Sequence, residues 1–209
     1  MRRLPVSIAL AATCVAVEAV LWTGEMGWWG PAAEGLRNAA IWLGALWPAL
    51  LRGEVAPIYP GQSAVMLLSY PFVHAGPGHM AGNVVVLVWA GLQLERVLGG
   101  IQVLVLWVVA ASWGAIPMLL SDETAPVVGA SGALFGLLGA WIGVLIHDPR
   151  RRRAVLRVGL LVVGVGILLP VILPELTGPM AWLVHGGGLV TGLIYGVVAG
   201  KGTRDEFLP

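Results

Sequence analysis

Six apolar segments of about 20 residues dominate this chain and limit the folds that it can adopt. They lie at about 4–22, 79–98, 101–120, 131–147, 154–173 and 179–199. About 20 residues of helix cross the hydrocarbon core of a bilayer, whereas an open sheet edge would leave backbone groups unpaired in lipid. The composition agrees, with 58% hydrophobic residues, 11% charged residues and a mean hydropathy of +0.87. We therefore predict an all-α membrane protein, a bundle of six transmembrane helices.

A long external loop, 23–78, separates the first two apolar segments. It contains a shorter apolar stretch, from Asn38 to Leu51, between Arg37 and Arg52. About 14 apolar residues are too few to cross a bilayer comfortably, so this stretch is predicted to form a short interfacial or re-entrant helix. The other connections are short, which favours a single membrane domain over residues 1–209.

The basic residues predict the orientation of the bundle. If the N-terminus is cytoplasmic, ten of the 12 Lys and Arg residues lie on the cytoplasmic side, and Arg37 and Arg52 lie outside. This bias follows the positive-inside rule and favours an even number of spans with both termini in the cytoplasm. The net charge of +1 gives no indication of nucleic-acid binding. Cys14 is the single cysteine, so stability must come from helix packing in lipid and not from an internal disulfide.

Four polar residues would lie at a similar depth in this topology. His79 and Asn83 open the second apolar segment, Ser131 opens the fourth, and His185 lies near the start of the sixth. Because each of these segments starts on the outer side, the four side chains are predicted to share the outer leaflet. Polar groups inside a membrane are functional candidates by default.

Two glycine stripes indicate how these helices pack. The stripes are Gly132, Gly136, Gly139 and Gly143 in the fourth segment and Gly188, Gly192, Gly196 and Gly200 in the sixth. Glycines let helix backbones approach closely, which could bring Ser131 within hydrogen-bond reach of His185. A base within about 3 Å makes a serine hydroxyl nucleophilic, and Asn83, His79 and the Ser131 backbone N–H could hold an oxyanion. The alternative is that the glycines serve packing alone and that His185 bonds to a neighbouring carbonyl.

A set of short motifs extends over about residues 60–200. They read Phe72-Val73-His74, His79 with Asn83, Leu94-Glu95 with Gly99, Gly129-Ala130-Ser131-Gly132, and His185 with Gly188 and Gly192. Together they resemble the rhomboid family of intramembrane serine proteases. The resemblance implies that Ser131 is the nucleophile and His185 the general base of a Ser–His dyad. It also implies an oxyanion site made of Asn83, His79 and the Ser131 backbone amide, supported by His74, Gly129 and Gly132.

The resemblance further implies a function and a setting. The expected reaction is hydrolysis of peptide bonds in or near the transmembrane segments of substrate proteins, with no cofactor and no metal. The expected partners are the lipid bilayer and transmembrane substrates, and the expected location is a bacterial inner membrane with the site toward the outer leaflet. A loop at 174–179 is expected to act as a lid, and the fifth segment as a lateral gate or an ordinary packed helix. A non-catalytic rhomboid-like protein that binds transmembrane segments is the alternative.

The sequence departs from this family in the external loop and leaves open which aromatic residue lies against the histidine. Many family members carry a Trp-Arg pair before the Phe-x-His element, and the corresponding positions here are Val65 and Met66. The external loop is therefore expected to pack differently. An aromatic residue of the fourth segment often lies against the histidine in this family, and both Phe135 and Trp141 are candidates for that position.

Overall fold

A computed structural model describes residues 4–147, 150, 152–172 and 181–203. The described part of the chain is built of helices. The longer ones are α1 (Val6–Glu25), α2 (Leu36–Gly44), α4 (Gln62–Ser69), α5 (Pro77–Leu98), α6 (Gly100–Gly114), α7 (Ser131–Leu145), α8 (Arg152–Val163) and α10 (Ala181–Ala199). Two single turns, α3 (Pro48–Leu51) and α9 (Leu169–Ile172), complete the set of α-helical elements among these residues. The expected lid at 174–179 lies outside the described residues.

Four of the described helices are long and apolar enough to cross a membrane. They are Val6–Glu25, Pro77–Leu98, Gly100–Leu120 and Trp182–Ala199. Two shorter apolar helices, Ser131–Leu145 and Leu156–Leu168, correspond to the fourth and fifth predicted segments. The third segment changes from α-helix to a 3₁₀ helix at Ile116–Leu120, where Pro117 lacks the N–H that an α-helix needs. An all-helical bundle of apolar helices is therefore confirmed.

The two glycine stripes pack α7 against α10, as the sequence predicted. A Cβ atom placed on Gly188 would collide with the carbonyl oxygen of Gly132, and one on Gly192 with the carbonyl oxygen of Gly136. A Cβ atom on Gly143 would lie 2.6 Å from the carbonyl oxygen of Leu193. The backbones of the two helices are thus in direct contact, and α7, with ten of its 15 residues buried, forms the centre of the bundle.

The external loop differs from the single interfacial helix predicted over Asn38–Leu51. The chain forms α2, leaves the helix at Ala45, and forms one more turn at α3. Two causes interrupt the helix: Pro48 disfavours helical backbone in the residue before it, and Leu46 forms a β-bridge with Val127. The bridge contains two hydrogen bonds, with N–O distances of 2.9 and 2.8 Å. It fixes the external loop to the segment that leads into α7.

Glu95 caps the first helix from a distance in sequence. Its carboxylate accepts hydrogen bonds from the backbone N–H groups of Val6 (3.2 Å) and Ser7 (2.6 Å) and from the Ser7 hydroxyl. The first N–H groups of a helix have no partner within the helix, and the helix dipole favours a negative charge there. The Leu94-Glu95 motif thus joins the end of α5 to the start of α1.

Candidate functional site

Ser131 is the first residue of α7, and three contacts hold the segment that precedes it. Val127 forms the bridge with the external loop, and the Gly129 N–H donates to the Tyr70 carbonyl at 3.1 Å. The Ala130 N–H donates to Nε2 of His74 at 3.4 Å. Both Tyr70 and His74 are fully buried. The position of the serine is therefore determined by buried groups of the turn after α4, not by α7 alone.

Gly129 brings the predicted oxyanion residues to this segment. Its φ angle of +108° lies in the region that favours glycine. A Cβ atom on Gly129 would lie 2.6 Å from Cε1 of His79 and 3.4 Å from Nδ2 of Asn83. The Asn83 amide nitrogen is buried and has no hydrogen-bond partner among the described residues. An unpaired buried donor is costly, and beside the start of a helix it is suited to bind an oxygen anion.

His185 is held in one orientation by two contacts. Its Nδ1 lies 2.6 Å from the carbonyl oxygen of Gly166, in the π-helical turn that follows α8. Its ring stacks on Phe135, with centroids 4.3 Å apart and an interplanar angle of 13°. Phe135, not Trp141, is thus the aromatic partner. The hydrogen bond from His185 to a neighbouring carbonyl, which the sequence left open as an alternative, is thus present.

The contact with Gly166 determines which ring nitrogen of His185 carries the proton. A carbonyl oxygen only accepts hydrogen bonds, so Nδ1 must be the protonated nitrogen. In the neutral imidazole, Nε2 then holds a free electron pair. Nε2 is buried and has no partner among the described residues. A free Nε2 is the atom that a serine hydroxyl requires as its base.

Ser131 and His185 lie on neighbouring helices that face each other. Phe135 is one turn after Ser131, on the same side of α7, and stacks on His185. A Cβ atom on Gly132 would lie 2.5 Å from the side chain of Val184, the residue before the histidine. Nε2 of His185 has no partner here, so the two residues share no hydrogen bond in this conformation. Catalytic hydrogen bonds of this kind often form only when substrate is bound.

His74 is buried beside His79, and this environment alters its ionisation. The two rings make an edge-to-face contact with centroids 5.3 Å apart. Burial, followed by the neighbouring His79, lowers the pKa of His74 to about 4. His74 is therefore neutral at neutral pH, as its role as acceptor for the Ala130 N–H requires.

The role of Arg37 was not predicted from the sequence. All five of its N–H donors are bonded, and one of them bonds to His74 beside this site. The guanidinium donates to both carboxylate oxygens of Glu18, at 2.8 and 3.1 Å, and to both of Glu25, at 2.7 and 2.8 Å. The fifth donor bonds to the His74 carbonyl at 2.7 Å. We call Arg37, Glu18, Glu25 and the His74 carbonyl the arginine cluster. No signal in the local sequence pattern pairs these residues.

Arg52 fixes the other end of the external loop. Its guanidinium donates to the carbonyl oxygens of Met118 (3.2 Å), Ser121 (2.7 Å) and Glu123 (2.9 Å) and pairs with Glu54. Val65 and Met66, where many rhomboids have Trp-Arg, lie on α4, with Val65 exposed and Met66 in the core. Arg37 and Arg52 thus bind the external loop to the bundle.

The fold and the site define a helical membrane protein in which a serine and a histidine occupy two closely packed, glycine-faced helices. The Rhomboid domain model matches residues 61–202, and the chain belongs to the rhomboid family.

Curated relatives agree with this family. RHOMBOID-like protein 4 of Arabidopsis thaliana is 31% identical over 69% of the chain, and Rhomboid-related protein 3 of Homo sapiens is 32% identical over 63%. RHOMBOID-like protein 7 of Arabidopsis thaliana is 34% identical over 62% of the chain. The matched regions make up 36%, 35% and 41% of these relatives, so the chain spans well under half of their length. The relatives are eukaryotic and do not support a bacterial inner membrane.

Proposed function

We propose that this protein is an intramembrane serine endopeptidase that hydrolyses peptide bonds in or near the transmembrane segments of other proteins. The observation that carries the proposal is the state of His185, whose Nδ1 is bonded to Gly166 and whose buried Nε2 has no hydrogen-bond partner among the described residues. The His185 ring stacks on Phe135, one turn after Ser131 on the helix that begins with this serine. Membership of the rhomboid family adds support for a serine protease.

The mechanism follows from these positions. The Ser131 hydroxyl attacks the scissile carbonyl carbon while Nε2 of His185 takes its proton. The carbonyl oxygen becomes an oxyanion, which the Asn83 amide, His79 and the Ser131 backbone N–H stabilise. Collapse of this intermediate breaks the C–N bond, and the imidazolium gives its proton to the leaving amine. Water then attacks the acyl-enzyme with His185 as base, which releases the carboxylic acid and restores Ser131.

We also propose six transmembrane spans with both termini in the cytoplasm and the site in the outer leaflet. The distribution of basic residues supports this orientation. The 15 residues of α7 span about 22 Å, which is less than the roughly 30 Å of a hydrocarbon core. Because α7 is short, its first residue, Ser131, would lie below the membrane surface. The first turn of α7 would still be open toward the aqueous side. Water could then reach the site through the outer half of the bundle.

Cleavage of a transmembrane substrate tests the proposal. Purified protein in liposomes is incubated with a single-span substrate, and wild type is compared with Ser131→Ala and His185→Ala. We expect both variants to lose cleavage, whereas Ser63→Ala, at an exposed serine of α4, should cleave like wild type. Equal cleavage by Ser131→Ala and wild type would contradict the proposal. Substrate crosslinking without cleavage in the wild type would instead support a non-catalytic binding protein.

The oxyanion site has its own test. Removal of one oxyanion donor typically lowers kcat by about 100- to 1000-fold, and we expect Asn83→Ala to lower it by this amount. The KM for the transmembrane substrate should change little, because the amide acts on the transition state. A matched control is Gln93→Ala, ten residues further along α5, which should keep full activity. Unchanged kcat in Asn83→Ala would remove this residue from the mechanism.

A further inference from the structure

The π-helical turn at Gly164–Leu168 lies where the fifth apolar segment meets His185. A π turn is rare, interrupts the regular hydrogen bonding of an α-helix, and is frequent at functional sites. Here the carbonyl of Gly166 accepts the hydrogen bond from Nδ1 of His185 at 2.6 Å. The irregular backbone therefore supplies an acceptor directly to the base.

This acceptor takes the place that an acidic side chain has in a Ser-His-Asp triad. The acid of a triad holds the histidine in the tautomer with a free Nε2. Among the described residues, no carboxylate bonds to His185: Glu18 and Glu25 pair with Arg37, and Glu95 caps α1. The Gly166 carbonyl provides the same orientation without a charge, which suits a site surrounded by apolar helices.

Gly166 also packs closely against the aromatic partner of the base. A Cβ atom on this glycine would overlap the ring of Phe135. That ring stacks on His185, so it cannot move away from Gly166 without disturbing the imidazole. Gly166, Phe135 and His185 thus form a closed set of three mutual contacts.

The helix that carries Gly166 has few other anchors. Among the residues of α8 and the π turn whose burial is described, Val162 and Gly166 are buried. Leu156, Leu160 and Leu161 are each more than 60% exposed to the surroundings of the bundle. At Gly159, the nearest atom to an added Cβ would be Cδ1 of Ile142 at 3.9 Å. A displacement of this helix would therefore remove the acceptor of His185 before it disturbed the core.

We infer that Gly166 is a positioning residue, whose carbonyl holds His185 in the reactive tautomer and makes the reactivity of Ser131 depend on the docking of the α8 segment. This inference rests on the proposed protease function. It predicts that the fifth segment controls the base itself, in addition to any effect on substrate entry.

The test compares two glycines of the same π turn. Gly166→Ala forces the Phe135 ring and the carbonyl apart, whereas an added Cβ at Gly164 meets nothing within 4 Å. The readouts are kcat and KM with a transmembrane substrate, and the ¹⁵N spectrum of histidine-labelled protein, with His185→Ala used to assign the His185 signals. We expect Gly166→Ala to lower kcat by at least about tenfold with KM within about twofold, and Gly164→Ala to match wild type.

The wild-type spectrum gives a result that depends neither on cleavage nor on the folding of Gly166→Ala. In the wild type, His185 should be protonated on Nδ1, and Gly166→Ala should show a mixture of tautomers. A wild-type His185 protonated on Nε2 would overturn the inference, as would equal losses of kcat in Gly164→Ala and Gly166→Ala. If the wild type shows no cleavage, the proposed protease function fails, while the tautomer still decides the role of Gly166. If Gly166→Ala does not fold, the wild-type spectrum alone decides it.

Discussion

Replacement of Arg37 by methionine should destabilise the protein strongly, although this residue lies in the external loop. The side chain of Arg37 is 9% exposed and that of Glu18 is 2% exposed. Methionine fills a similar volume and removes all five hydrogen bonds of the guanidinium. The carboxylate of Glu18 would then remain buried without a counter-ion.

The structure gives the expected magnitude. Removal of one partner from a buried ion pair costs about 3–5 kcal/mol, because the remaining charge is not compensated. The Glu25 carboxylate is 38% exposed and can recover water, so its pair contributes at most about 1 kcal/mol. We therefore expect Arg37→Met to lower the free energy of unfolding by about 3–5 kcal/mol, nearly all of it through Glu18. Burial of the Glu18 charge, more than the number of lost bonds, determines this cost.

The assay is reversible unfolding in mixed detergent micelles, followed by intrinsic Trp fluorescence. The double variant Glu18→Gln, Arg37→Met should recover most of the loss, because both buried charges are removed together. The matched control is Arg96→Met, since Arg96 is exposed and bonds to Gln93 at 3.0 Å; its cost should stay below about 1 kcal/mol. Equal costs for Arg37→Met and Arg96→Met would refute the reasoning, as would a double variant no more stable than Arg37→Met.

Three further variants test other contacts. Glu95→Ala leaves N–H groups of α1 without their acceptor and should cost about 1–2 kcal/mol in the same unfolding assay, and a change near zero would contradict the cap. Gly129→Ala forces a Cβ onto the His79 ring and should lower cleavage at least about tenfold, whereas Gly78→Ala, with open space around it, should not. The wild type should lose stability as pH falls from 6.5 toward 4, because the pKa of His74 is about 4 in the folded protein and 6.5 in the unfolded chain. Above pH 6.5 neutral His74 contributes its full share to the free energy of unfolding. Unfolding measured against pH should show a shallower dependence in His74→Gln, and an identical dependence would refute this assignment.

The long helices could be predicted from the sequence because the hydrophobic pattern is a local signal. The second segment was expected at 79–98 and the helix occupies Pro77–Leu98, while α7 begins at Ser131 as expected. The glycine stripes also predicted the correct helix pair, because only glycine permits the observed backbone contacts. These features depend on residue type and on spacing along one helix, and both can be read from the sequence.

The features that escaped prediction depend on partners distant in the chain. Arg37 bonds to groups 12, 19 and 37 residues away, and no periodicity encodes such a set. The break at Ala45–Trp47 has a local cause in Pro48, but its other cause, the bridge from Leu46 to Val127, joins residues far apart in the chain. The π turn at Gly166 likewise depends on distant partners, because Gly166 contacts the ring of Phe135 and bonds to His185, which lie on two other helices. The sequence named Phe135 and His74 among the groups that orient the candidate reactive residues. It did not predict the contacts made by Arg37 or by the Gly166 carbonyl.

The two halves of the candidate site are anchored in different ways, and this predicts different responses to mutation. The segment before Ser131 is bonded to buried His74, which the arginine cluster ties to α1. The base depends on Gly166, on a helix with few buried side chains. Regions with few buried contacts open at low free-energy cost, whereas removal of one member of a buried charge pair strongly destabilises the fold. Mutations in the arginine cluster should therefore reduce stability and activity together, and mutations along α8 should reduce activity while the unfolding midpoint stays near that of the wild type.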